Sequence, residues 1–448
     1  MVKYLYYKEL IAMSKNKRNI LSGIHFLINS HQALLRGGEA LSVKKNNAIV
    51  IDISGKLFPF DEITENILTK LKDYAGTLLQ MLIDKSDTRV VIEINKIALE
   101  KLESLLNYVE KTLPPDKKEV YFLPYKASMW DSLESVWEEY EANEEWNAYV
   151  MPIPYYDRKH DGSLGELHWE GEIFPKNVTI TDYRNVDLKK IHPDKIYIHN
   201  PYDNGNLVTS VAPEYYCDKL KEVTDELVYI PYFVLDETHI TAEGIKQYVI
   251  TQGVINAHKV IVQSEKVKNC YVDALVEYFG EQYREYFDNK ILGTGSPKLE
   301  KVRKTKKENV EVPKQWLKYI QKADGSWKKI IMYNNSVTAL IDNSDKMIEK
   351  YRHTLKIFKE NRDNVCLLWR PHPLIEATIS SLIPHLWEEY SQLVEEYKRE
   401  DWGIYDDTPE LDRAIVLSDG YYGDSSSVVK LMQEAGKVCM IQNVDVLQ

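Results

Sequence analysis

An α/β protein with parallel sheets, preceded by a mainly helical region, is what this sequence predicts. Three features lead there. Apolar residues recur at helical spacing through residues 1–115; short β-like runs alternate with amphipathic stretches from residue 116 onward; and the alternation restarts after a basic, turn-rich segment at 301–326. A chain of 448 residues is too long for one core. The expected division is a helical accessory region at 1–115, a first Rossmann-like domain at 116–300 and a second at 301–448.

In the first region Leu27, Leu34 and Leu35 fall at helical spacing, as do Ile67, Leu68 and Leu71, the run Leu78, Leu79, Met81 and Leu82, and the stretch Ile97 to Leu113. Ala48 to Leu57 reads as β-like and predicts a small hairpin. Pro114-Pro115-Asp116 breaks the region. Strands are then expected at Val120–Leu123, Ala148–Met151, Lys195–Ile198, Leu227–Ile230, Lys259–Val262 and Ile291–Leu292. A helix at Ser132–Tyr140 and another at Glu265–Phe279, capped by Ser264, separate some of them. Strands joined through helices imply a parallel sheet with right-handed crossovers. The second unit has expected strands at Lys329–Tyr333, Val365–Trp369, Ala414–Leu417 and Val438–Ile441, with helices near 344–360, 381–399 and 427–435.

Composition narrows the function. A net charge of −12 argues against a nucleic-acid partner. The basic run Lys298 to Lys307 reads as a solvated linker. No run of 18 or more apolar residues exists, and MVKYLYYKEL lacks a signal-peptide core, so a cytoplasmic protein is expected. Cys217, Cys270, Cys366 and Cys439 lack the paired spacing of a disulfide frame or zinc site.

Candidate chemistry collects where strands end, since ligands of open parallel sheets bind outside the carboxyl ends of the strands. Three ends in the second unit carry polar groups: Asn334-Asn335-Ser336, Arg370-Pro371-His372-Pro373, and Ser418-Asp419-Gly420 running on to Gly423-Asp424-Ser425-Ser426-Ser427. In the third, Asp424 or Ser425 can cap a helix Val428–Ala435 that stops at Gly436. Its N-terminal N–H groups and the hydroxyls of Ser425, Ser426 and Ser427 suit a phosphate. In the second, two prolines fix one imidazole beside an arginine able to take a phosphate in bidentate fashion. Met151 to Arg158 and Leu123 to Asp131 are rigid aromatic loops. They offer Tyr155, Tyr156 and Trp130 as stacking surfaces for an acceptor, with Asp157 and Arg158 as polar contacts. Asp406-Asp407 reads as a solvated turn. Glu166, His168 and Glu170 have metal-like residue types on a surface loop or hairpin, but no metal is expected.

Gly295-Ser296-Pro297-Lys298, Arg370-Pro371-His372-Pro373, and Ser418-Asp419 with Asp424-Ser425-Ser426-Ser427 carry a resemblance over about residues 255–448. They resemble the Gly-aromatic-Pro-Arg turn, the Arg-x-His-Pro motif and the Asp-Tyr-Ser-Ser element of the CDP-glycerol glycerophosphotransferase family, the teichoic-acid polymerases and primases. The resemblance implies a GT-B fold, two Rossmann-like domains facing a cleft, with the donor held mainly by the second. It implies phosphoryl transfer, in which an acceptor hydroxyl attacks the β-phosphorus of CDP-glycerol or a related donor and CMP leaves. The acceptor would be a cell-surface glycan or a lipid-linked molecule. No cofactor is implied, the CDP-linked donor being a substrate, and peripheral association with the inner face of the membrane stays open.

The family's Trp-His-Gly-Thr-Pro motif, whose histidine is its candidate base, is absent. Its nearest parallel is Ile198-His199-Asn200-Pro201-Tyr202-Asp203. The roles that follow are His199 as base, with Arg370 and the second catalytic candidate, His372, on the donor pyrophosphate. Ser425, Ser426 and Ser427 would bind phosphate, and Asn334, Ser336 and Asp424 would line the donor site. Family members continue into further helix where this sequence ends soon after Ile441, so a minimal second domain, or completion of the first by another segment, is expected. Two rival readings share the same loops: a GT-B glycosyltransferase using a nucleotide-sugar, and a non-catalytic binding protein of the same fold.

Overall fold

The computed structural model describes residues 16–36, 43–55, 57, 61–83, 87–114, 116–442 and 444. The segment MVKYLYYKEL, Lys56 and Pro115 lie outside them. The chain divides into two compact units, one of residues 1–118 with 144–147, the other of 119–143 with 148–448. Both sheets expected from the sequence fall in the second unit.

Among the described residues the first unit holds four helices: α1 (Asn16–Leu35), α2 (Val43–Gly55), α3 (Glu62–Ile83) and α4 (Thr88–Thr112). Each begins or packs for a local reason. Asp61 and Thr64 cap α3 reciprocally, the Thr64 N–H donating to Asp61 Oδ1 and the Asp61 N–H to Thr64 Oγ1, both at 2.8 Å. Asp87 caps α4 by accepting from the Arg89 N–H at 2.9 Å. Ala98, Leu99, Leu102, Leu105 and Val109 give α4 its buried stripe. The hairpin expected at Ala48–Leu57 is instead part of α2. Val50 and Ile53, three apart, are buried with Ile20, Ile24 and Leu27. A Cβ at Gly23 would lie 2.9 Å from Ile53 Cδ1, so the absent side chain lets α1 and α2 approach. Packing of that face outweighs the β-branched composition that suggested a strand.

The second unit contains β1 (Lys118–Leu123) and β2 (Trp146–Val150) apart from Lys118, Trp146 and Asn147, then β3 (Tyr155–Arg158), β4 (Leu164–His168), β5 (Lys195–Ile198), β6 (Thr209–Val211), β7 (Glu226–Tyr229), β8 (Lys259–Ile261) and β9 (Ile291–Leu292). It continues with β10 (Lys329–Asn335), β11 (Val365–Pro371), β12 (Ile404–Tyr405), β13 (Gly420–Gly423) and β14 (Val438–Ile441). Three sheets result among the described residues: β2-β1-β5-β7-β8-β9, β12-β11-β10-β13-β14, and β4-β3-β6. Every pairing from β1 through β5, β7 and β8 to β9 is parallel, as is every pairing in the five-stranded sheet. The small third sheet is antiparallel and was not foreseen as a sheet. The architecture is thus a GT-B-like pair of Rossmann-like domains with parallel sheets, and a helical region precedes it.

Alternation builds the second sheet's two-sided core. Met332, Cys366 and Leu368 lie in one apolar cluster, while Tyr333, Leu367 and Trp369 lie in the other. The helix Glu265–Phe279 starts as read, with Ser264 Oγ accepting from the Val267 N–H at 3.2 Å. One expected strand is a helix: Ala414–Leu417 belongs to Leu411–Leu417, and the strand is Gly420–Gly423. A short buried apolar run does not distinguish the two by periodicity. Gly423 shows why a glycine-bounded segment pairs there. Its φ is +147°, and a Cβ would sit 2.1 Å from the Asn334 carbonyl oxygen. The basic run from Lys298 is also corrected: Pro297–Lys304 is a helix with Lys298 buried, not a linker. Among the described residues no helix is long and apolar enough to cross a membrane.

Candidate active site

Strand register brings the three polar strand ends together. Asn334 pairs with Arg370 on one side and Gly423 on the other, and Asn335 pairs with Pro371. The side chains then lock the ends. Asn334 Nδ2 donates to the Arg370 carbonyl at 2.8 Å, and Ser426 Oγ donates to Asn334 Oδ1 at 3.1 Å. Residues of all three ends line one cleft of about 690 Å³, whose other wall includes Ser128, Tyr202, Tyr232 and Tyr248. The cleft therefore runs between the two Rossmann-like domains.

Two helices begin at its floor. Ser336 caps Val337–Asn343 by accepting from the Ala339 N–H at 3.1 Å. Ser426, rather than Asp424 or Ser425, caps Ser427–Glu434, accepting from the Val428 N–H at 3.3 Å. Ser425, Ser426 and Ser427 all line the cleft. The second helix stops at Gly436, whose φ is +71°. Lys430, one turn in, lines the same cleft and makes no ion pair among the described residues.

His372 is held at three points. Prolines flank it, its N–H donates to the Asn335 carbonyl at 3.1 Å, and its Nδ1 accepts from the Leu374 N–H at 3.1 Å. An imidazole accepting at Nδ1 carries its hydrogen on Nε2 when neutral. Burial, with Lys298 and Lys126 adding to it, pushes the His372 pKa down to about 4. At neutral pH the ring, which lines the cleft, therefore carries a hydrogen on Nε2 and not a lone pair. The proton-transfer role that the sequence also allows this imidazole would need a pKa nearer neutrality.

Three expected assignments change. His199 does not line the cleft and is wholly buried. Its Nε2 accepts from the Tyr125 N–H at 3.1 Å, and its Nδ1 faces the Met129 carbonyl at 3.2 Å and Ser132 Oγ at 3.0 Å. Burial lowers its pKa to about 3. With both nitrogens engaged it has none to offer an acceptor hydroxyl, so the base role fails on geometry. Arg370 lines the cleft, but its guanidinium is committed: Nη1 to Asp406 Oδ2 at 2.6 Å and Nη2 to the Thr408 carbonyl at 2.7 Å. A bidentate grip on phosphate is not free to it. Asp406 is correspondingly buried rather than a solvated turn residue, while Asp407 is exposed. Asp424 is no donor ligand either. Its Oδ1 takes Lys350 Nζ at 2.5 Å and its Oδ2 the Ser336 N–H at 2.8 Å, beneath the floor.

The expected acceptor residues are elsewhere. Trp130 is buried among Phe122, Trp137 and Phe174. Tyr155 is buried, its hydroxyl taking Lys126 Nζ at 2.6 Å and giving to Glu170 Oε1 at 2.8 Å. Asp157 faces His168 Nε2 at 2.5 Å, and Arg158 Nη1 donates to the Gly162 carbonyl at 2.7 Å. Tyr156 pairs in β3 with Leu167 and Ser210. None of the five lines the cleft. An antiparallel sheet consumes Tyr155 to Arg158, and the loop that carries Trp130 turns its ring into the core while Ser128 and Met129 line the cleft. Among the described residues no cluster of acidic, histidine and cysteine side chains is arranged to hold a metal ion.

Lys298 was missed. It lines the cleft, buried, with its Nζ 3.0 Å from Asp131 Oδ1. Burial raises the Asp131 carboxyl above its ordinary range even beside that ammonium. The signal was present, since Lys298 stands where the resembled turn carries its arginine.

No family model and no curated protein matches the sequence. Solved structures similar to it include the UDP-GlcNAc 2-epimerase of Neisseria meningitidis bound to UDP-GlcNAc, 12% identical, covering 72% of this chain and 82% of that one with a TM-score of 0.42. A second is the UDP-GlcNAc 2-epimerase of Methanocaldococcus jannaschii in complex with UDP-GlcNAc and UDP, 10% identical over 72% and 83%, TM-score 0.41. A third is the catalytic domain of starch synthase IV from Arabidopsis thaliana bound to ADP and acarbose, 10% identical over 72% and 82%, TM-score 0.32. Identities and scores this low assign the chain neither an activity nor a ligand.

Proposed function

We propose that the cleft holds the diphosphate of a nucleotide-linked donor and that the protein is a transferase passing the donor's sugar to an acceptor hydroxyl. One observation carries this: the Nε2–H of His372, the N-terminus of Ser427–Glu434 with its serines, and the unpaired Lys430 line the same cleft at the carboxyl ends of adjacent parallel strands. Directed N–H donors and one cation suit a departing phosphate. In the reaction, the acceptor oxygen bonds to the anomeric carbon and the carbon–oxygen bond to the diphosphate breaks. The nucleoside diphosphate leaves with the electron pair, and the hydroxyl proton passes to solvent.

Charge favours the sugar over the polyol phosphate. Arg370 and Lys298 are each matched by a buried carboxylate, His372 is neutral, and Lys430, without an ion pair among the described residues, still feels the Asp236 carboxylate on the same cleft, so little positive charge is free. Glycosyl transfer asks the protein to stabilise the leaving diphosphate. Attack on the β-phosphorus also asks it to balance charge on the transferring phosphoryl oxygens, a task that metals and extra cations usually share. Transfer of glycerol phosphate from a CDP-linked donor is the second reading, on the strength of Arg370-x-His372-Pro373. Calorimetry with UDP, CDP, UMP and CMP, on wild type and Lys430→Ala, tests both. Diphosphates should bind about tenfold or more tighter than monophosphates, and the variant should lose most of that margin. Preference for UDP supports the sugar reading and preference for CDP the polyol one. Equal binding of mono- and diphosphates would overturn both.

A further inference from the structure

A second chamber of about 250 Å³ adjoins the cleft and shares Ser128 and Arg370-Pro371-His372-Pro373 with it. We propose that this chamber binds the acceptor, and that the acceptor's bound end is a hydroxyl-rich, uncharged or cationic group the size of one monosaccharide or a short polyol. The proposal rests on the donor reading only for the word acceptor; the site and its ligand class stand on the chamber's own residues.

Size comes first. The chamber is just under the ~300 Å³ at which pockets begin to hold drug-sized ligands, so it fits one ring or a short chain. Its position comes next. Anything seated there meets the same His372 loop that the donor cleft reaches, within range of a donor held in that cleft.

Chemistry sets the class. The two cations on its wall are already matched. Arg370 Nη1 lies 2.6 Å from Asp406 Oδ2, and Lys126 Nζ lies 3.0 Å from Glu170 Oε1. What remains is negative. Glu376 makes no ion pair among the described residues, and Asp407 has only the exposed Lys398 at 3.7 Å. Such a wall repels phosphates and carboxylates, while free carboxylates accept hydrogen bonds from hydroxyl or ammonium groups. Tyr390 lines the chamber at 1% exposure; its hydroxyl interacts with that of Tyr405 but makes no hydrogen bond of ordinary geometry in the protein. A buried polar group left so is costly, and a ligand hydroxyl would satisfy it. The rings of Tyr390 and Tyr405 give the chamber apolar surface for a sugar's carbon face.

The test is saturation-transfer NMR with glucose, glucosamine, glycerol and glucose 6-phosphate on wild type, Glu376→Gln and Tyr390→Phe. Both substitutions are near-isosteric, and Glu376 is exposed, so folding is spared. Glucose, glucosamine or glycerol should bind, with the 6-phosphate weaker by about tenfold. Glu376→Gln should weaken glucosamine by about tenfold, and Tyr390→Phe should weaken glucose severalfold. Absence of sugar and polyol binding, indifference to both substitutions, or preference for the 6-phosphate would each overturn the proposal. UDP and CDP titrations on the same samples read the donor cleft separately. Loss of nucleotide binding alongside Glu376-dependent sugar binding would sink the donor reading and leave this site.

Discussion

Removing the Nε2–H of His372 should weaken a nucleoside diphosphate by about ten- to a hundredfold. The magnitude follows from what the group supplies. A hydrogen bond from a neutral donor to a charged oxygen contributes about 1.5–3 kcal/mol, and about 1.4 kcal/mol is a factor of ten in Kd. His372→Asn is the informative variant. Its side-chain oxygen keeps an acceptor for the Leu374 N–H, so the turn survives. The bond from the residue's own N–H to the Asn335 carbonyl is untouched. The assay is calorimetric titration of UDP and CDP between pH 5.5 and 8. Because burial holds the ring's pKa near 4, the ratio of variant to wild-type Kd should stay flat across that window. The ligand's own phosphate ionisation affects both proteins and cancels. A Kd unchanged within about twofold would refute the assignment. A ratio that collapses as pH rises through ~6.5 would show an imidazolium binding phosphate in place of the neutral Nε2–H tautomer.

Asp424→Ala should destabilise the protein by about 3–5 kcal/mol in chemical denaturation, since it strands the buried Lys350 ammonium, and Lys350→Met with Asp424→Leu should cost much less. Ser426→Ala should cost about 1 kcal/mol through the lost cap, and should also loosen nucleotide binding by releasing Asn334. Acid should weaken the fold in a defined direction. His199 and His372 have folded pKa values of about 3 and about 4, below the ordinary 6.5, so the unfolded chain takes up protons the folded sites refuse. Their contribution is complete above pH ~6.5 and is lost as pH falls toward ~3, so the thermal midpoint should drop over that range, less steeply in His199→Gln. Gly423→Ala should fail to fold normally, because its Cβ would overlap the Asn334 carbonyl; a soluble variant with wild-type melting would contradict that close approach.

Much of the fold was legible because short apolar runs separated by helical patterns leave few topologies for a parallel sheet. The helix at Glu265–Phe279 and the strand ends at Asn334 and Arg370 stand where periodicity and turn chemistry put them, whereas the strand ending at Gly423 lies beyond the one expected at Ala414–Leu417. What failed did so for local reasons. Ala48–Leu57 carries β-branched residues on a helix whose buried face is set by contacts with α1. Ala414–Leu417 is apolar on every face because the core surrounds it. Charged residues were the hardest. Arg370, Asp424 and His199 have the types a site needs, yet each is consumed by a partner far along the chain, such as Asp406, Lys350 or the Tyr125 N–H. Lys298 hid in a basic run whose composition alone suggested solvent.

The most direct test is a crystal structure with UDP or CDP bound. The account predicts a phosphate in hydrogen-bond contact with His372 Nε2 and with the backbone N–H groups that open Ser427–Glu434, and Lys430 Nζ turned toward it. A nucleotide whose phosphates lie away from that helix end, or a cleft left empty at saturating nucleotide, would contradict it.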